Sequence, residues 1–186
     1  MARIEQPPPG RLICSIAYSH IDALADSLTR MEHQFGPVQF ETIDIPYSGE
    51  ARHIEEMGDN LSRRFFSFEK LVSRDKLADM KLLCRKIEAG FADRVDDFIF
   101  RTVNVDPGIM TPENVVMASS RGFNYRIYIT RGVFAQVELI HSKSQFVRLP
   151  WTNPDFCHDE ALDFFGRVRK TFELLPESLP ASAEAR

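Results

Sequence analysis

Residues 100–119, FRTVNVDPGIMTPENVVMAS, constrain the chain most, because three local signals follow one another there at close spacing. Apolar and polar residues alternate as far as Val105 in the period of a strand. Asp106-Pro107-Gly108 then has the composition of a tight turn, with Pro107 fixing φ and Gly108 able to take a positive one. Thr111-Pro112-Glu113 offers a cap, a first helical position and an acidic first turn, so a short helix is expected as far as Ser119-Ser120-Arg121-Gly122. Such a strand end would aim Asn104 and Asp106 toward a cleft, beside free helix amides that favour an anion.

Upstream, residues 11–18 form a mostly apolar run of strand length, the kind found in the middle of a sheet. Ile21, Leu24, Ala25, Leu28 and Met31 recur at helical spacing, and Gly36-Pro37 stops that helix. Residues 38–45 read as a second strand whose apolar phase changes between Phe40 and Ile43. A bulge near Glu41-Thr42 would put both apolar pairs on one face. Residues 50–58 suggest a helical turn or ordered loop, and residues 63–69 an aromatic-rich strand. Leu77, Met80, Cys84, Ile87 and Phe91 mark a helix, and residues 93–97 a charged connection.

Residues 123–129, 133–140 and 145–149 read as a three-strand meander joined at Thr130-Arg131-Gly132 and Ser142-Lys143-Ser144. Leu162, Phe165, Val168 and Phe172 mark a last helix. With 44% apolar residues in a chain of 186, one core is well supplied. The expected fold is a single compact α+β domain over residues 11–175, between a disordered lead at 1–10 and a flexible tail at 176–186. It has a mixed sheet of about seven strands, an antiparallel meander in its C-terminal half and about four helices.

A formal charge of -4, from 23 basic and 27 acidic residues, gives no global field toward nucleic acid or an anionic membrane. Cys14, Cys84 and Cys157 lack CxxC spacing, which argues against a disulfide framework or a zinc knuckle and for a reducing compartment. Pro7-Pro8-Pro9 stands where a signal peptide would need an apolar segment, and no stretch is long enough to span a bilayer. A soluble cytoplasmic protein without a membrane partner is expected.

Arg126 shares a predicted strand face with Asn124 and Tyr128, and Glu138 shares one with Gln136. Arg126 and Glu138 can pair across strands, either as part of a site or as a purely structural ion pair. Pro150-Trp151-Thr152-Asn153-Pro154-Asp155 carries the one tryptophan; such a loop can close a pocket or stack on a flat ligand, or Trp151 can cover the core. His158 follows, and with Asp159 also makes a helix start. Glu55, Asp106, Asp155 and His158 have metal-ligand chemistry but no HxxxH, HxH or DxD spacing, so no metal site is assigned and the cofactor is unknown. GxSxG and a Gly-rich phosphate loop are absent.

Glu56-Met57-Gly58, Ser67-Phe68-Glu69, Arg101 with Val103-Asn104, Asp106-Pro107-Gly108, Ala118-Ser119, Arg126-Ile127-Tyr128, and Leu149-Pro150-Trp151-Thr152 with Pro154-Asp155 together resemble a bacterial domain-of-unknown-function family, number 4416. The resemblance spans residues 12–165 and departs at Ile109 and Asn153, where family members more often carry aromatic rings. It implies positions rather than an activity.

Two functions follow as expectations. The first is a site for an anionic or nucleotide-like small molecule: Arg101 and Arg126 contact negative oxygens, Asn104 and Asp106 fix orientation, and Trp151 stacks. Asp106, Glu138, Asp155 and His158 are its acid–base candidates. The alternative is a non-catalytic domain that binds a protein partner through an aromatic patch such as Phe65-Phe66 or Phe164-Phe165.

Overall fold

The computed structural model describes residues 5–49 and 51–175. Its elements run β1 (Gly10–Tyr18), α1 (Ile21–Phe35), β2 (Val38–Glu41), β3 (Ile45–Pro46), α2 (Ala51–Met57), β4 (Ser62–Val72) and α3 (Leu77–Ala89). There follow β5 (Ala92–Val95), β6 (Phe98–Arg101), β7 (Val103–Met110), β8 (Asn114–Ser119), β9 (Ile127–Thr130), β10 (Val133–Ser142), β11 (Gln145–Arg148) and α4 (Asp159–Lys170). Together they form one α+β domain.

β1 is buried along its whole length because β4 and β7 pair with its two edges. The large sheet runs β11-β10-β8-β7-β1-β4-β2, with β3 added on β4 and β9 on β10. A mixed sheet is expected from sequence, yet every pairing among the described residues is antiparallel. Side chains alternate across this sheet, so each strand feeds two cores. Leu12, Cys14 and Ile16 of β1 pack with Leu24 of α1 and Cys84 of α3, while Ile13 packs with Phe164, Phe165 and Val168 of α4.

Phe65 lies at the centre of the α4 side, with ring centroids 4.8 Å from Phe156 and 5.4 Å from Phe165. Phe65, Phe66, Phe164 and Phe165 are all fully buried, so neither of these two aromatic pairs forms an exposed patch. The exposed apolar side chains lie elsewhere, on the β5–β6 hairpin (Phe98, 70%) and on the edge strand β9 (Ile127, 71%).

The stretch at residues 100–119 folds differently from its sequence expectation. Asp106-Pro107-Gly108 is no turn: β7 runs straight through it, paired with Ser15, Cys14 and Ile13 of β1. The expected helix after Thr111-Pro112 is β8, and Thr111 caps the β7–β8 connection by accepting from the N–H groups of Glu113 and Asn114. Burial overrode local propensity here, since Val115 and Met117 join the α4-side core and Ala118 the other.

Gly108 is required for a reason other than positive φ. A Cβ there would meet Met117 Sδ and lie 2.7 Å from the backbone oxygen of Val116, where β7 and β8 approach closely. Gly108→Ala is expected to cost about 1–3 kcal/mol by chemical denaturation, as overpacking does. A loss below about 0.5 kcal/mol would mean that the strands part more easily than this contact implies.

Smaller departures have similar causes. Val38 packs on the α1 side and Phe40 on the α4 side, because the β2–β4 register shifts between them, earlier than the expected bulge at Glu41-Thr42. Ile43 stays exposed while Ile45 is buried in β3. Residues 93–97 belong to the β5–β6 hairpin, turning at Asp96 with φ 54°. The C-terminal meander forms with turns at Arg131–Gly132 and Lys143–Ser144, all four at positive φ. Its first strand is short, so Asn124 and Arg126 precede it. Pro8 of the expected disordered lead accepts from Arg74 Nε at 2.8 Å; residues 1–4, residue 50 and the tail at 176–186 lie outside the described residues.

Candidate functional site

The β7–β8 ladder pairs Met110, Ile109 and Gly108 with Val115, Val116 and Met117, and stops there. Pro107, next in line, has no N–H to continue it. Beyond this point the strands separate, and α3 supplies what β8 no longer gives. Val105 N–H donates to Glu88 Oε1 at 2.6 Å, and Val105 C=O accepts from Lys81 Nζ at 3.0 Å. The opening is a cavity of about 370 Å³ that reaches from α2 and β6 to β10. Among the described residues it is lined by seven Lys or Arg side chains and four carboxylates.

One wall is a closed polar network. Lys81, buried within the apolar stripe of α3, sits 2.7 Å from Asp106 Oδ1 and 3.7 Å from Glu88 Oε1. Asn104 bridges the row: its Nδ2 donates to Asp106 Oδ2 at 2.7 Å and its Oδ1 accepts from Arg101 Nη1 at 2.7 Å. Arg101 Nε then pairs with Glu56 of α2 at 2.8 Å, and Arg52 holds the other Glu56 oxygen. Burial alone would raise the Asp106 carboxyl, but the Lys81 ammonium overrides it and holds Asp106 at about 2. Burial pushes Glu88 up despite Lys81, and Lys81 itself is raised because Asp106 and Glu88 outweigh its burial. These charges are satisfied by one another.

The facing wall is differently built. The β8–β10 register shifts between Val137 and Leu139, so Glu138 stands on a bulge, a device that re-aims a side chain. The tryptophan loop holds this bulge: Trp151 Nε1 donates to Val137 C=O at 2.9 Å, Thr152 Oγ1 donates to Glu138 C=O, and Asn153 N–H donates to Glu138 Oε2 at 3.1 Å. Gln136 Nε2 donates to Glu138 Oε1 at 2.6 Å, and Gln136 Oε1 accepts from Arg126 Nε at 2.8 Å. Burial pushes the Glu138 carboxyl up to about 7, against the pull of the Asn153 N–H, Arg63 and Arg126.

Of the sequence candidates, Arg101, Asn104, Asp106, Arg126 and Glu138 line this one cavity. Arg126 and Glu138 meet through Gln136 instead of pairing directly. Asp155 lies behind the wall, buried, with Oδ2 3.0 Å from Arg63 Nε and Oδ1 accepting from Ser48 N–H at 3.0 Å. Trp151 stacks on Tyr125 at 5.5 Å and 5°, so its ring covers the loop and does not line the cavity. His158 is outside it too, accepting from Glu160 N–H at the start of α4.

Sequence reasoning missed Lys81, Glu88, Ser15 and Gln136. The first two fall on the apolar stripe of α3 beside Leu77 and Cys84, which marks them as charges facing the core but not what they meet there. No group of three or more His, Cys, Asp or Glu that could hold a metal ion occurs among the described residues. No helix among them is long and apolar enough to cross a membrane.

Fold and site thus define an α+β protein whose antiparallel sheet opens into a cavity with an ion-paired wall on one side and, on the other, Arg126 and Glu138 joined through Gln136. Residues 8–172 match the family described as Domain of unknown function (DUF4416), and the chain belongs to that family. No curated protein and no solved structure matches it.

Proposed function

We propose that the protein binds a small anionic molecule in the cavity between β7 and β10, with Glu138 as the group that exchanges a proton with it. The observation that carries this reading is the state of Arg126. Its guanidinium touches Gln136 Oε1, Ser119 Oγ and the Arg121 carbonyl, and makes no ion pair among the described residues. A half-buried cation held only by neutral groups favours an incoming anion, since burial weakens competing water. Arg85, exposed at the rim, likewise has no ion pair among the described residues. A carboxyl poised near neutrality has the protonation equilibrium that general acid–base chemistry requires.

A thermal-shift panel of nucleotides, sugar phosphates and dicarboxylates, with neutral sugars as controls, tests this reading. An anion at about 100 times its Kd is expected to add about 2.7 kcal/mol to stability. Arg126→Ala is expected to weaken its binding by about tenfold or more, as loss of a hydrogen bond to a charged group does. If no anion raises Tm, or if Arg126→Ala binds as well as the parent, the proposal fails.

A further inference from the structure

We infer that the charged group of the ligand is a tetrahedral oxyanion of the phosphate type, seated between Ser119 at the end of β8 and Arg126. This rests on the anion-binding reading above and narrows its chemistry.

Consider which donors remain unused on that wall. Ser119 Oγ accepts from Arg126 Nη1 at 2.8 Å and from Arg121 N–H at 3.1 Å. With both lone pairs engaged, its hydroxyl proton points away from those partners, and no acceptor takes it among the described residues. Arg126 Nε is engaged by Gln136, and Nη1 by Ser119 and by the Arg121 carbonyl at 3.2 Å. Its free donors are therefore those of Nη2.

That inventory discriminates between anions. A carboxylate is bound best by two parallel N–H groups from one edge of a guanidinium, in one plane. Every edge of Arg126 that could offer such a fork already has Nε or Nη1 turned to a protein acceptor. What is left is one nitrogen and one hydroxyl, set on different residues. Such dispersed donors suit oxygens that project in several directions from one centre, as they do from phosphorus. Ser120 and Arg85, which also line the cavity, can serve a further oxygen. On the opposite wall the carboxylates that would repel such a group, Asp106, Glu88 and Glu56, are each neutralised by Lys81, Arg101 or Arg52.

The test compares inorganic phosphate with succinate at matched ionic strength, by isothermal titration calorimetry and phosphorus NMR of the full chain. Parent protein, Ser119→Ala and Arg126→Lys are used, each checked for an unchanged unfolding transition. Phosphate is expected to bind the parent about tenfold more tightly than succinate does, and Ser119→Ala to weaken phosphate by about tenfold while leaving succinate unchanged. Arg126→Lys keeps the charge and separates fold damage from site damage; it is expected to retain part of the phosphate affinity. Preferential binding of succinate overturns the tetrahedral assignment and leaves the anion reading standing. Phosphate binding that Ser119→Ala does not weaken overturns the seat proposed for it. Failure of both probes to bind, together with a panel that raises no Tm, overturns the two proposals at once.

Discussion

Replacing Lys81 by methionine is expected to destabilise the fold by about 3–5 kcal/mol, the cost of stripping one partner from a buried ion pair. For a chain of this size that corresponds to a fall in Tm of about 6–20 °C. Methionine fits the apolar stripe of α3, so packing does not carry the effect. The loss comes from what stays behind. Asp106 keeps one donor, Asn104, and the Val105 carbonyl loses the ammonium that replaces its missing ladder partner. Glu88, already raised by burial and by the charge of Asp106, loses Lys81 and keeps only the more distant Arg101 Nη1 at 3.8 Å.

The sign of the pH dependence follows from Asp106. Its carboxyl is lowered from 3.8 to about 2, so the stabilisation it contributes is present above pH 3.8 and is lost as pH falls through about 2. The difference between parent and Lys81→Met should therefore be full at neutral pH and shrink in acid. Urea melts at several pH values measure it, and adding Asp106→Asn to the Lys81 variant should recover part of the loss. A neutral-pH loss below about 1 kcal/mol would show that the network relaxes around the missing charge.

Much of the architecture was readable because it rests on periodicity. The apolar run of β1, the helical spacing of Ile21, Leu24 and Leu28, and the turn residues of the meander each report a local preference that the packed fold also satisfies. Residues 106–113 were misread for the opposite reason. Pro107, Gly108, Thr111 and Pro112 all have turn or helix-start chemistry, yet here they serve a strand pair: Pro107 ends a ladder and Gly108 allows a close approach. Nothing local distinguishes those uses, which depend on β1 and β8 lying alongside.

The site was legible where a polar residue interrupts a strand, as Asn104 and Asp106 do in β7 and Glu138 in β10, or stands just before one, as Arg126 does before β9. It was illegible where long-range placement decides. Trp151 and His158 have the chemistry of ligand contacts and instead hold a loop and cap a helix. Lys81 lies in a helix whose neighbours read as core, and only the gap between β7 and β8 gives its ammonium a destination.

Glu138→Gln is expected to remove a stability step of about 3 kcal/mol that the parent shows across mildly acidic to neutral pH. Burial raises this carboxyl from 4.5 to about 7, so the native state holds a proton that the unfolded chain gives up earlier. The contribution is fully present below pH 4.5 and is lost as pH rises through about 7, the reverse of the trend at Asp106. Groups around it act in both directions: the Asn153 N–H, Arg63 and Arg126 pull the value down, while Asp106 pushes it up. Subtracting the variant's stability curve from that of the parent isolates the step, because every other titrating group is common to both. The same proton ties stability to the proposed chemistry. An anion at Arg126 adds negative charge near Glu138 and favours its protonated form, so binding should draw in a proton and weaken as pH rises past neutrality. Sulfate, which does not titrate in this range, is a suitable calorimetric probe. Identical pH profiles for parent and Glu138→Gln, in stability and in binding, would remove Glu138 from the proton-exchange role.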